Sequence, residues 1–249
     1  MPEIANIKLT IAYDGTRYAG WQIQKNAKTV QEEIEKALKK ILKEKIRVTA
    51  SGRTDSGVHA RQQVANFKTK KDFPLARLEA ALNSNLPRDI SVINIKRAAS
   101  RFHSQYDAKS KLYRYTILSG RIEDPFLRNY YYKVPYNLDT ALMRKEARAL
   151  RGRHDFKSFQ AKSALSRIKN TVRTIKRITI KKDNSFIYIE IEASGFLHNM
   201  VRNIAGTLIE IGRGYLPKGS MRKILRSKDR RKAGPTAPAK GLTLLRVKY

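Results

Sequence analysis

Between Gly52 and Ala60 the chain reads GRTDSGVHA, which sets a carboxylate, Asp55, two residues after a guanidinium, Arg53, in a stretch bracketed by Gly52 and Gly57. Glycines allow backbone to approach a ligand closely, and an Asp at such a loop tip can act as nucleophile or as proton acceptor. By position alone it reads first as an Asx-type turn residue. Gly52 and Gly57 have phosphate-loop spacing, but Val58-His59 stands where Lys-Ser/Thr would hold phosphate and magnesium, and Asp55 would repel phosphate. Nucleoside-triphosphate binding is therefore excluded. The four histidines, His59, His103, His154 and His198, have no paired spacing, and the chain has no cysteine. Each reads as a hydrogen-bonded structural residue rather than a metal ligand. No Gly-x-Ser-x-Gly elbow marks a hydrolase, and no glycine-rich cofactor fingerprint follows an early strand. What remains is chemistry done by side chains alone, with no metal and no cofactor.

The elements that must position this loop are legible on either side of it. Ile7 to Tyr13 alternates apolar and polar residues and meets Asp14-Gly15, a strand ending in a turn. Thr29 and Glu32 have capping-box spacing ahead of an apolar stripe, Val30, Ile34, Leu38, Ile41 and Leu42, at helical period. Ile46 to Ala50 reads as a strand, Ser51 to Gly57 as a loop, Val58 to Lys68 as a strand, Leu75 to Leu82 as a helix and Ile90 to Ile95 as a strand. This is the ferredoxin-like order. The second half repeats the pattern without residue-level similarity: strand Leu112 to Leu118, helix Leu138 to Leu150, strands Val172 to Ile180 and Phe186 to Ala193, helix His198 to Ile211, strand Leu242 to Val247. The reading is an α/β protein (α+β in arrangement) of two ferredoxin-like halves, 1–105 and 106–249, sharing a continuous, mainly antiparallel sheet with a central cleft.

A chain of 249 residues with 41% hydrophobic residues can bury a proper interior, yet 53 Lys+Arg against 21 Asp+Glu leave a formal charge of +32. Self-repulsion at that charge costs compact-state stability, so a polyanion partner is expected, and the cations recur along the whole chain rather than in a tail. The sequence offers no long apolar run, signal peptide or lipidation motif, so RNA is expected rather than a membrane, and the absence of cysteine fits a cytoplasmic setting. Two insertions carry basic and aromatic groups. Ser119 to Asn137 contains Tyr130, Tyr131, Tyr132 and Tyr136, which either stack on unpaired bases or pin the loop to the core. Lys218 to Lys232 is strongly basic, with Met221, Ile224 and Leu225 at helical spacing.

GRTDSGVHA resembles the signature loop of the tRNA pseudouridine synthase A family, with Ser56 where alanine is common. The similarity continues in order through YDGTRYAGWQIQ (Tyr13 to Gln24), TVQEEIEKAL (Thr29 to Leu38), ALNSNLPRDI (Ala81 to Ile90) and RFHSQYDAKSKLYRYTI (Arg101 to Ile117). It goes on through GRHDFKSF (Gly152 to Phe159), GFLHNMVRNIAGTL (Gly195 to Leu208) and TAPAKGLTLLRVKY (Thr236 to Tyr249). The resemblance implies a pseudouridine synthase fold, a homodimer, and isomerisation of uridines 38, 39 and 40 in the tRNA anticodon stem-loop. It makes Asp55 the nucleophile or, in a glycal route, the base that starts elimination. A carboxylate kept from water needs a cation to stay ionised, and Arg202 in MVRN is the candidate. Tyr113 matches the tyrosine that packs on the target base and assists the last proton removal, with a core tyrosine as the alternative reading. Arg53 matches the arginine that helps flip the uridine. The resemblance further assigns RNA contacts to Phe102, His103, Ser104, Gln105 and Tyr106, to Arg121, and to Gln160, Ala161, Lys162, Ser163, Ala164 and Leu165. A non-catalytic RNA-binding or ribosome-assembly protein would explain the charge equally well, but not the joint presence of Asp55, Arg202 and Tyr113 in matching contexts.

Overall fold

Alternation along the first strand does what its pattern predicts: Ile7, Leu9, Ile11 and Tyr13 are all buried while the residues between them are not. A computed structural model describes residues 4–120, 122–161 and 170–249. It divides into one unit made of Met1–Lys109 with Leu244–Tyr249 and another made of Ser110–Thr243. The final six residues, which chain order would give to the second half, thus belong to the first unit.

The first unit runs β1 (Ala5–Tyr13), α1 (Val30–Leu42), β2 (Thr49–Ala50), β3 (His59–Thr69), α2 (Leu75–Asn85), β4 (Ile90–Ala98). β1 is flanked by β3 and β4, antiparallel to both, and β2 pairs with β3. This is the ferredoxin-like order expected from sequence. Two expectations were too generous. The strand over Ile46 to Ala50 shrinks to Thr49–Ala50, because the Val48 amide donates to Glu35 Oε1 (2.9 Å) and its carbonyl accepts from Gln31 Nε2 (3.1 Å), so α1 side chains take the bonds a ladder would use. The capping box does not form either. The first amides of α1 go to backbone carbonyls, Val30 to Gly20 (3.2 Å) and Gln31 to Trp21 (2.9 Å), and the buried Thr29 hydroxyl has no hydrogen bond among the described residues.

The second unit runs β5 (Ser110–Ser119), β6 (Tyr132–Val134), α3 (Thr140–Ala147), β7 (Gly152–Asp155), β8 (Val172–Asp183), β9 (Phe186–Ala193), α4 (Met200–Gly212), α5 (Ser220–Ser227) and the start of β10 (Leu242–Lys248). Its strands lie in the order β5-β9-β8-β7, antiparallel between β5 and β9, β9 and β8, and β8 and β7, with β6 parallel to β5. From Leu244 on, β10 lies in the first unit, beside β3. The helix expected over Leu138 to Leu150 is shorter, starting at an N-cap Asp139 that accepts from the Leu142 amide (2.9 Å) and ending in a 3-10 turn. No helix among the described residues is long and apolar enough to cross a membrane.

What places the Gly52–Ala60 stretch is strand pairing. Tyr13 at the end of β1 faces Ala60 at the start of β3 on one side and Ile90 at the start of β4 on the other. The segment after β1 and the loop before β3 therefore leave the sheet at the same end. Gly15 lies so close to the loop that a Cβ there would stand 2.1 Å from the Val58 carbonyl oxygen. Gly20, at φ +99°, brings its backbone against the turn itself, where a Cβ would stand 2.5 Å from the Thr54 oxygen. The intervening segment is tied to β4 by Asp89, which accepts from Arg17 (2.6 and 3.0 Å) and from the Tyr18 hydroxyl (2.5 Å).

Two outcomes follow from this frame. Burial opposes ionisation of Asp89, but the Tyr18 hydroxyl and the Arg17 guanidinium outweigh it and hold the carboxyl below its ordinary value of 3.8. A depressed folded-state pKa means stability that is present above the ordinary value and lost as pH falls through the folded one. Asp89→Asn should cost roughly 1–3 kcal/mol at neutral pH, and the gap from wild type in denaturant melts should close as pH drops below 3.8; a gap of constant size would contradict this. Gly214 also has positive φ (+81°) but open space around it, so alanine there meets only the left-handed penalty. Gly20→Ala adds the clash, and should be the more destabilising of the two by about 1–3 kcal/mol. Equal midpoints would remove the close approach from the account.

Candidate active site

Asp55 sits on the loop between β2 and β3, half-buried, with its carbonyl accepting from the Val58 amide (3.2 Å). Everything behind it is fixed. The Thr54 carbonyl accepts from the Trp21 amide (3.1 Å), and the Thr54 hydroxyl bonds the Tyr13 hydroxyl (2.8 Å) beneath the loop. Burial pushes the Tyr13 phenol up to about 12, against its hydrogen bonds with Thr54 and Gln63, so it remains a neutral hydrogen-bonding group. The Tyr18 carbonyl accepts from the Gly57 amide (3.3 Å) and the Ser56 hydroxyl (3.2 Å). Gln63 reaches back from β3, accepting from the Ser51 hydroxyl (2.7 Å) and donating to the Gly52 carbonyl (2.9 Å). His59 is buried, and its Nδ1 lies 3.1 Å from both the Gly15 amide and the Asp14 carboxylate, a structural setting. Arg53, by contrast, is exposed and makes no side-chain hydrogen bond among the described residues. A guanidinium held on a fixed backbone and open to solvent can stack on a base or hold a phosphate.

In the second unit α4 is apolar nearly all round, and every one of its residues except Arg202 is buried. Arg202 Nε donates to the Ala237 carbonyl (2.8 Å) and Nη1 to Asn199 Oδ1 (3.1 Å), while the Ala237 amide donates back to the Arg202 carbonyl (3.2 Å). The strand of chain that holds it crosses α4 at very short range: a Cβ on Gly206 would stand 1.8 Å from the Pro235 oxygen. Arg230 secures that crossing, donating to the carbonyls of Ala233 (3.2 Å) and Gly234 (2.9 Å), to Asn203 Oδ1 (3.0 Å) and to the Thr236 hydroxyl (3.1 Å). Tyr113, on β5, is 8% exposed and sets its ring edge-on to Phe196 at 5.1 Å and 85°. Tyr115, two residues on, is more deeply buried, and its hydroxyl donates to the Pro238 carbonyl (2.8 Å). Among the described residues no cluster of three or more His, Asp or Glu could hold a metal.

The residues assigned to RNA contact separate on burial. Ser104 is fully buried; its hydroxyl donates to the Thr49 carbonyl (2.5 Å) and its amide to Asn66 (3.0 Å), so its side chain is engaged within the protein and supports the segment. Phe102 packs on Tyr249 at 5.0 Å, with Lys8 over both rings. Gln105 and Tyr106 are exposed, and the Tyr106 ring, 77% exposed, stacks on His103 at 4.2 Å. Gln160 and Ala161 are half-buried, and the Ala161 amide donates to the His198 carbonyl (3.0 Å) at the approach to α4. Arg121, Lys162, Ser163, Ala164 and Leu165 lie outside the described residues. In the tyrosine-bearing insertion, Tyr131 does the pinning: it is buried and its hydroxyl bonds the Asp124 amide (2.9 Å) and carbonyl (2.8 Å). Sequence reasoning did not find Tyr13, Thr54, Asn199 or Arg230 as supports. Their types are common; Tyr13, Thr54 and Asn199 fall inside family-like stretches that hinted at them, and Arg230 falls in the basic insertion, where it passed for a surface cation.

Comparison with known proteins agrees along the chain. A family model described as tRNA pseudouridine synthase matches residues 9–107 and 147–249. The tRNA pseudouridine synthase A of Thermoanaerobacter sp. (strain X514) is 48% identical over 98% of this chain and 99% of its own length. Those of Clostridium perfringens (47%) and Moorella thermoacetica (46%) cover the same shares. Among solved structures, a Cbf5-Nop10-Gar1 complex is similar with a TM-score of 0.34 and 12% identity over 95% of this chain and 57% of that one, too slight a likeness to bear on the argument. With the Asp55 loop and the Arg202 helix inside the matched residues, and the relatives similar over nearly the whole chain, the chain belongs to the tRNA pseudouridine synthase family, enzymes that isomerise uridine in tRNA.

Proposed function

We propose that this protein converts uridines 38, 39 and 40 of the tRNA anticodon stem-loop to pseudouridine, with Asp55 as the reacting carboxylate. The observation that carries the reading is the Asp55 loop: a half-buried carboxylate on a backbone that Gly20, Trp21 and the Tyr13–Thr54 bond hold from behind. Such preorganisation suits a group that must meet one atom of a flipped nucleotide. In the reaction the bond from uracil N1 to ribose C1′ breaks, the base turns, and C5 bonds to C1′. A proton leaves C5 and N1 gains one, so nothing is oxidised and no cofactor is needed. Arg202 supplies positive charge for the reaction, and Tyr113 offers a ring to the base and a hydroxyl for the final proton removal. Arg53 fills the space the uridine leaves, lowering the cost of flipping. The enzyme acts as a homodimer in the cytoplasm.

The test separates chemistry from binding. Asp55→Asn keeps the size of the side chain and removes its charge; it should abolish pseudouridine formation while tRNA affinity stays within about tenfold of wild type, because phosphate contacts dominate binding. Arg53→Ala should bind tRNA, react slowly, and recover part of its rate on a substrate whose target uridine is unpaired. Asp55→Asn should recover none. Pseudouridine is mapped at each position of the tRNA. Turnover by Asp55→Asn, shown free of deamidation by mass spectrometry, would remove Asp55 from this role, and modification confined to other positions would remove the stem-loop assignment.

A further inference from the structure

The second unit contains a cavity of about 580 Å³ whose walls come from three separate stretches: Arg148 and Arg151 after α3, His154 and Asp155 on β7, and Arg222, Arg226 and Lys228 along and just past α5. None of these belongs to β5 or α4, which carry Tyr113 and Arg202. Five cations face one carboxylate there. Asp155 is already engaged, accepting from the Thr171 hydroxyl (2.5 Å) and the Lys157 amide (3.1 Å) and pairing with Lys228 at 3.3 Å. The four arginines are exposed, and none of them has a carboxylate partner among the described residues. Such a concentration of unneutralised charge is unfavourable in the isolated protein, and an anion relieves it.

The cluster is held in place. Glu146 of α3 accepts from the amides of Gly219 (2.8 Å) and Met221 (3.1 Å), fixing the start of α5, and the Ser158 hydroxyl donates to the Ile224 carbonyl (2.6 Å) further along it. Ile224 and Leu225 are buried, which turns Arg222 and Arg226 outward together, one helical turn and about 6 Å apart along the axis. Two guanidiniums at that spacing can each take a separate phosphate group. The lining has no Phe, Tyr or Trp on which a base could stack, and His154 is spent on the Arg151 carbonyl (2.9 Å).

We infer that this cavity is a docking site for the RNA backbone, taking phosphate groups of the tRNA and no base. The inference rests on tRNA being the substrate, and it adds a binding site built from residues outside the proposed catalytic set. The test uses the full chain and a fluorescein-labelled unmodified tRNA transcript, with anisotropy read across a salt series. Arg222→Ala/Arg226→Ala should weaken binding roughly tenfold or more and reduce the slope of log affinity against log salt by about two. Lys181→Ala/Lys182→Ala, an equal loss of exposed charge elsewhere in the same unit, should change affinity less than about threefold. Arg222→Lys/Arg226→Lys should keep the slope and lose only part of the affinity, since charge survives and the fork geometry does not. Equal losses in the two alanine pairs would overturn the inference. So would a cavity that serves a small anion, shown if the arginine pair abolishes calorimetric binding of inorganic phosphate yet leaves tRNA affinity and slope intact. Wild-type protein that binds tRNA through Arg222 and Arg226 but forms no pseudouridine would leave this site standing and sink the catalytic reading instead.

Discussion

No side chain fits between Gly20 and the carbonyl of Thr54, and that close approach is the constraint on which the first unit's site depends. Gly20 must be glycine twice over, for its φ of +99° and for the 2.5 Å a Cβ would leave. Once the backbones meet, the rest of the Tyr13 to Gln31 stretch is committed. The Gly20 and Trp21 carbonyls accept from the first amides of α1, the Trp21 amide donates to the Thr54 carbonyl, and the Tyr18 carbonyl accepts from Gly57 and Ser56. One segment thus caps a helix with one side and shapes a loop with the other. Such a loop presents its carboxylate from a fixed backbone, an arrangement that favours chemistry at a single atom.

The second unit solves the same problem by burying a helix. With twelve of its thirteen residues buried, α4 has one direction in which a side chain is not packed away, and Arg202 occupies it. Its guanidinium is oriented by Ala237 and Asn199, and the peptide carrying Ala237 is in turn held by Arg230 through Gly234 and Thr236. Burial discourages charge on Arg230, and four acceptors around it satisfy its donors. An arginine that composition counts among RNA-binding cations is therefore a structural cross-link. Arg17 with Asp89, and Arg114 with Glu190, are spent similarly. The charge of +32 overstates the cations free to meet RNA, and the exposed arginines that keep no carboxylate become the informative ones.

The sequence by itself determined the order of the long elements, though not the short strands β6 and β7, because alternation and helical period over enough residues report which of them must be buried whatever they are buried against. The β1 pattern of Ile7, Leu9, Ile11 and Tyr13, and the α1 stripe from Val30 to Leu42, were legible for that reason. It also singled out Asp55 as the candidate for the chemistry, since an Asp between glycines in a family-like loop needs no third dimension to be noticed. Tertiary structure decided everything that turns on who takes a hydrogen bond. The capping box of Thr29 and Glu32 was sound as a pattern, but the first two α1 amides are taken by carbonyls ten residues upstream and the Thr29 side chain makes no cap bond. The strand at Ile46 to Ala50 was sound too, until Glu35 and Gln31 took the backbone of Val48. Ser104 looked like part of an RNA-facing run and is instead buried against Thr49 and Asn66, while Tyr106, two residues later, stays in solvent. Local pattern fixes which face of a segment is apolar; which polar group meets which depends on segments distant in the chain, and only the folded backbone brings those together.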